Sequence, residues 1–158
     1  MVYIASVGTY KGPLIPQSDH INRVRNIHGP ILDKVSRDPM IHTRQLHEYE
    51  GDYSLESKQR AIRSRCLAMA IEAVTKAIER WDGTVDSITH IIMCTSTEYM
   101  APSLEMRIMS ELKMDPSIMR VPIVMAGCAA GGLALQMAYH IVKADPTSNV
   151  LVVATECV

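Results

Sequence analysis

Met125-Ala126-Gly127-Cys128-Ala129-Ala130-Gly131-Gly132 is the stretch on which the reading of this chain turns. A β-rich run, Arg120–Ala126, leads into it, and a helix-forming run, Leu133–Lys143, leaves it. The thiol of Cys128 is thus placed where the chain passes from sheet to helix. Small residues at such a turn let backbone N–H groups approach a ligand and let the next helix lie close on the sheet. A cysteine at a helix N-terminus meets the positive end of the helix dipole, which favours thiolate over thiol. Unpaired N–H groups there suit a carbonyl oxygen that gains negative charge during attack. The pattern therefore fits a nucleophile that carries an acyl group. It equally fits a packing thiol, because cysteine is a common core residue. A phosphate cradle fits badly, since neither GxGxxG nor GxxxxGK[ST] occurs.

Working outward, Val150–Thr155 is a β-branched run that reads as a buried strand, with Asp145-Pro146-Thr147 as the turn before it. Ile88–Cys94 reads as another buried strand. Pro102 suits the first turn of a helix reaching about Lys113, and Asp115-Pro116-Ser117 a turn. Pro122 predicts an edge or irregular position for its strand. The clearest helix is 58–81, where Ile62, Cys66, Met69, Ala70, Ala73, Ala77 and Trp81 recur at three- and four-residue steps. Trp81 is expected to anchor its end, and Lys58, Arg60, Arg63 and Arg65 to line its solvated side. Residues 2–9 suggest a first strand. Asp19 suggests a helix cap, with Gly29-Pro30 breaking the helix that follows before about residue 37. Strands alternating with helices predict an α/β fold, a mixed sheet covered by helices.

The chain has 158 residues, 47% of them apolar, which is enough for one domain with a real core. Phe is absent and Met numbers 11, so that core is aliphatic, with thioethers filling gaps. A net charge of −1 argues against a nucleic-acid or anionic-membrane surface. No apolar run reaches membrane-spanning length and none reads as a secretory leader. Cys66, Cys94, Cys128 and Cys157 form no CxxC pair and no zinc spacing, so no metal is expected. Free thiols in a reducing, cytoplasmic setting follow.

With these residues in view, Gly127-Cys128-Ala129-Ala130-Gly131-Gly132-Leu133-Ala134-Leu135 and Val150-Leu151-Val152-Val153-Ala154-Thr155-Glu156 resemble the nucleophile segment and following strand of type III polyketide synthases, the chalcone-synthase-like enzymes. Ile88-Thr89-His90-Ile91-Ile92-Met93-Cys94-Thr95-Ser96-Thr97, with Pro102 beyond it, is similar to the family's strand and active-site loop. Ser117-Ile118-Met119-Arg120-Val121 resembles its approach to the cysteine. Val7-Gly8-Thr9 with Gln17, and Met40-Ile41-His42-Thr43-Arg44, resemble earlier blocks. Each block alone is weak. Together, in order and spacing, they span nearly the whole chain.

The resemblance implies the N-terminal half of a thiolase-like αβαβα fold over 1–158. It implies Cys128 as acyl acceptor, beside Gly127, and Ser96 and Thr97 as pocket hydroxyls, although a strand-end turn explains those two equally well. Lys34 and Arg37 fall where the family contacts coenzyme A phosphates, yet Asp38 stands at a position usually basic, and a solvated helix face serves as well. The implied substrates are acyl-CoA and malonyl-CoA, without cofactor, in a homodimer. The family's His and Asn lie in a second half not contained in this sequence, so the C-terminal half of the same fold is an expected partner and this segment alone is expected to be inactive. His90 and His140 do not replace them: one falls in a strand, the other far along the helix after Cys128. His20, His28, His42 and His47 read as surface or loop residues. Departures are Ala129 for an aromatic residue, Ala101 for a methionine that reaches across the dimer, Met125-Ala126 for paired glutamines, and Glu98 and Tyr99 for small loop residues expected to narrow the pocket. A ketoacyl synthase III-type enzyme and a non-catalytic or split half-domain are the alternatives.

Overall fold

A computed structural model of the chain describes residues 1–28, 42–45 and 54–157. Lys34, Arg37, Asp38 and His47 lie outside the described residues, as does the expected break at Gly29-Pro30. The chain divides into two compact units, Lys11–Glu50 and Met1–Tyr10 with Gly51–Val158. In the smaller, β1 (Leu14–Pro16) pairs antiparallel with β2 (Thr43–Gln45). Pro16 closes the strand and α1 (Gln17–His28) begins at once, ahead of the expected Asp19 cap. The junction is held by Gln17 N–H donating to His42 O at 2.9 Å and Arg44 Nε to Gln17 Oε1 at 2.6 Å.

The larger unit holds the site. Its long helix α2 (Leu55–Glu79) starts at an N-cap, Ser54, whose hydroxyl accepts from Ser57 N–H at 3.2 Å. Glu56–Arg60 and Glu72–Lys76 support it as i,i+4 ion pairs. Then come β3 (His90–Thr95), α3 (Leu104–Glu111), β4 (Met119–Val124), α4 (Ala130–Ala144) and β5 (Val150–Ala154). The three strands form a parallel sheet in the order β4-β3-β5, with His90 opposite both Met119 and Val150. The antiparallel pairing in the described residues belongs to the separate β1–β2 ribbon.

Parallel strands need covered faces, and β3 shows why its sequence is continuously apolar. Ile91 and Met93 point into a core with Cys66, Ala70 and Val74 of α2, Leu104, Ile108 and Met109 of α3, and Val153. Ile92 and Cys94 point the other way, onto Ala130 and Ala134 of α4. Each fully buried Ile or Met removes a side chain from water at a gain of about 1.5–3 kcal/mol. Trp81 packs on the first core at the end of α2, as its position predicts. Pro122 lies on β4, an edge of the described sheet, also as predicted.

The turns into β4 and β5 are built alike. Asp115 Oδ1 accepts from Ser117 N–H at 2.7 Å. Asp145 accepts from the Thr147 amide and hydroxyl and from the Ser148 hydroxyl. These donors hold both carboxyls below the usual carboxylate range.

Residues 2–9 are not the strand their composition suggests; no ladder is formed there. They are strapped along α2 instead. Ser6 Oγ donates to Ala77 O at 2.8 Å, Arg80 Nη1 to Val7 O at 2.8 Å and Lys76 Nζ to Thr9 O at 3.4 Å. Gly8 lies so close that a Cβ there would stand 1.9 Å from Ala73 O. The helix supplies the partners a neighbouring strand would otherwise supply.

Candidate active site at the carboxyl ends of three strands

In a parallel sheet the loops leaving the strand ends are where ligands bind. Here the ends of β3, β4 and β5 carry Thr95-Ser96-Thr97, Met125-Ala126-Gly127-Cys128 and Thr155-Glu156-Cys157. β3 and β4 are paired up to Thr95 opposite Val124, so the first two loops leave from neighbouring positions.

The loop after β4 is conformationally demanding. Met125 has φ +60° and Gly127 φ +59°, with Met125 N–H reaching Thr95 O at 3.4 Å. A left-handed backbone at a non-glycine residue costs about 1 kcal/mol or more and survives only where its surroundings impose it. At Gly127 a Cβ would meet nothing within 4 Å, so the demand there is for conformation and not for space. The chain then makes one tight 3₁₀ turn, Gly127–Ala129, before α4 starts. Cys128 therefore sits one turn ahead of the α-helix rather than in it, and it is exposed.

The glycines do something other than expected. Close approach of helix and sheet is made by Ala130 and Ala134, 4% and 0% exposed, with Cys94 Sγ directed at Ala130 O at 3.7 Å. Gly131 and Gly132 face open space.

Ser96 and Thr97 are fixed by Glu156, a residue to which the sequence alone assigns no role. The Glu156 carboxylate accepts from Ser96 N–H at 2.8 Å and from Thr97 Oγ1 at 2.9 Å. Cys157 N–H donates to Thr97 Oγ1 at 3.1 Å, and Tyr99 Oη to Ser96 O at 2.8 Å. The signal was present: an acidic side chain directly after a buried β-branched strand has to find donors at that strand's end. Ser96 Oγ is buried with no partner among the described residues.

The other thiols differ from Cys128 in kind. Cys66, Cys94 and Cys157 are buried. Burial, with Cys157 and Glu98 adding to it, pushes the Cys66 thiol up to about 12. Burial and then Glu156 raise Cys94. Of the histidines, His90 is at the opposite, amino end of β3, where its Nδ1 meets Thr89 Oγ1 at 2.8 Å. His140 is ten residues into α4, about 15 Å along its axis. Among the described residues, no set of three metal-ligating side chains gathers, and no helix is long and apolar enough to cross a membrane.

Glu98 and Tyr99, expected to narrow the pocket, are each held by a partner within or beside their loop. Glu98 is 4% exposed and paired with the guanidinium of Arg107, whose Nη1 also donates to Arg63 O at 3.3 Å. Tyr99 ties back to the Ser96 carbonyl. Both residues line one cleft beneath the loop.

Layered helices on a parallel sheet, with an exposed cysteine on a strained strand-to-helix turn, can be compared with known domains. The N-terminal domain of chalcone and stilbene synthases matches residues 31–158, a stretch that includes Ser96, Thr97, Gly127 and Cys128. The chain thus belongs to the chalcone and stilbene synthase family, the type III polyketide synthases, and its α/β architecture is that of the family's thiolase-like N-terminal domain.

Proposed function

We propose that Cys128 is the acyl-accepting nucleophile of a type III polyketide synthase. Its thiolate attacks the carbonyl of an acyl-CoA, the carbon–sulfur bond to coenzyme A breaks, and coenzyme A leaves as the thiolate. Malonyl-CoA then loses carbon dioxide, and the enolate carbon attacks the cysteinyl thioester. Cys128 is released and the β-ketoacyl-CoA is two carbons longer. Ser96, Thr97 and Gly127 border the acyl group, and Glu156 positions the two hydroxyl residues. Lys34 and Arg37 contact the coenzyme A phosphates. The observation that carries this reading is the contrast among the cysteines: one is exposed on a strained turn at the strand ends, and three are buried.

The condensation step needs proton-handling groups that neither His90 nor His140 is placed to supply. We assign them to the C-terminal half of the same fold, in a cytoplasmic homodimer. Exposed Leu133, Leu135 and Tyr139 on α4 suit such a covering half.

The test separates acylation from turnover. Incubation of the chain with an acyl-CoA at neutral pH is expected to add one acyl group, mapped by mass spectrometry to Cys128, and Cys128→Ala is expected to remove it. Labelling first at Cys66 or Cys94 defeats the assignment. Polyketide release by the 158-residue chain alone defeats the requirement for the second half.

A further inference from the structure

The loop that leaves β3 is gripped from the side of β5. Ser96 N–H donates to Glu156 Oε1 at 2.8 Å, Thr97 Oγ1 donates to Glu156 Oε2 at 2.9 Å, and Cys157 N–H donates to Thr97 Oγ1 at 3.1 Å. Toward β4 the loop is joined to the Cys128 loop at its root, where Met125 N–H reaches Thr95 O at 3.4 Å. Beyond that root, among the described residues, no hydrogen bond joins Ser96 or Thr97 to residues 125–129. The two loops start from paired strands, and the spacing between them is set by what holds Ser96 and Thr97 from behind.

One of those restraints comes from the loop itself. Tyr99 Oη donates to Ser96 O at 2.8 Å, so the peptide groups on both sides of Ser96 are held, one by Glu156 and the other by Tyr99. Tyr99 is 48% exposed. A single hydrogen bond in such a setting adds little to the stability of the whole chain. Its effect is local: it fixes the direction of the Ser96 carbonyl and, through it, where Ser96 and Thr97 stand.

We propose that Tyr99 is a positioning residue that selects compact acyl groups at Cys128. This rests on the assignment of Cys128 as acyl acceptor with Ser96 and Thr97 bordering the acyl group. With the tether made, the loop after β3 keeps its distance from the loop after β4, and a ring-bearing acyl group collides with Ser96 and Thr97. With the tether broken, the loop yields and the ring is admitted. A two-carbon acyl group needs no such yielding.

The chain and its Tyr99→Phe variant, which keeps the ring and loses only the tether, are incubated with acetyl-CoA and with benzoyl-CoA. The rate of acyl addition at Cys128 is followed by mass spectrometry. Loss of the tether is expected to raise the benzoyl-to-acetyl rate ratio about fivefold, the weight of one hydrogen bond, with the acetyl rate and the unfolding temperature unchanged. Amide hydrogen exchange reads the tether without substrate: Ser96 and Thr97 should exchange faster in the variant, while Ile92, inside β3, keeps the parent's rate. An unchanged ratio overturns the proposal, and so does unchanged exchange at Ser96. An equal fall of both acylation rates also overturns it, because the tether would then support the loop without selecting among acyl groups. A parent chain that takes up neither acyl group at Cys128 defeats the nucleophile assignment itself, and the proposal falls with it.

Discussion

The two faces of the sheet are built to opposite ends. On the α2–α3 face, Ile91, Met93, Ile108 and Cys66 are essentially without solvent contact, and the Glu98–Arg107 ion pair is buried. On the α4 face Ala130, Ala134, Met137 and Ile141 meet the sheet, while Leu133, Leu135 and Tyr139 of the same helix look outward. The first face supplies stability. The second leaves the helix that follows Cys128 uncovered on one side and the ground beside it open at Gly131 and Gly132. Cys128, the proposed acyl acceptor, leads into the helix of the second face.

The largest effect is expected where the well-covered face carries charge. Arg107→Met leaves Glu98 buried and unpaired, which typically costs about 3–5 kcal/mol. Urea unfolding should show this loss, and adding Glu98→Gln to make the double variant should recover most of it. A single variant as stable as the parent would mean that the pair is solvated and that the two faces differ less than described.

Next comes a direct contrast of apolar residues. Ile108, with 0% exposure, should cost about 2–5 kcal/mol on truncation to alanine. Leu135, 53% exposed, should cost less than about 0.5 kcal/mol in this chain. Thermal unfolding of both variants measures the asymmetry, and similar losses would erase it.

Much of this arrangement is legible in the sequence because period and burial agree. The stripe of α2 and the unbroken apolar run of β3 each allow one reading, and Pro122 marks its own edge strand. What escapes the sequence depends on partners far along the chain. Residues 2–9 have strand composition, but their hydrogen bonds go to Ala77, Lys76 and Arg80 of a helix nearly 70 positions later. The role of Glu156 needs the knowledge that its strand ends beside Ser96 and Thr97, a fact of topology. Gly131 and Gly132 look like packing glycines until the helix phase turns them outward. Cys128 was legible as a type of position; its exposure and the positive φ angles around it were not.

The smallest effect tests the thiols that distinguish the faces. Cys66 has a folded pKa of about 12 against an ordinary value of 9.0, chiefly because burial disfavours its thiolate. A group raised in this way contributes stability that is complete below 9 and is lost as pH climbs toward 12, because only the unfolded chain ionises in that interval. At pH 10 the loss amounts to about 1 kcal/mol. Cys66→Ala lowers stability at every pH by leaving a small cavity, so the informative quantity is the slope. Between pH 8.5 and 10.5, roughly the onset of that interval, the variant should lose stability less steeply than the parent in urea titrations. Parallel slopes would mean that the Cys66 thiol ionises as freely in the folded chain as in the unfolded one, and burial would then no longer separate it from Cys128.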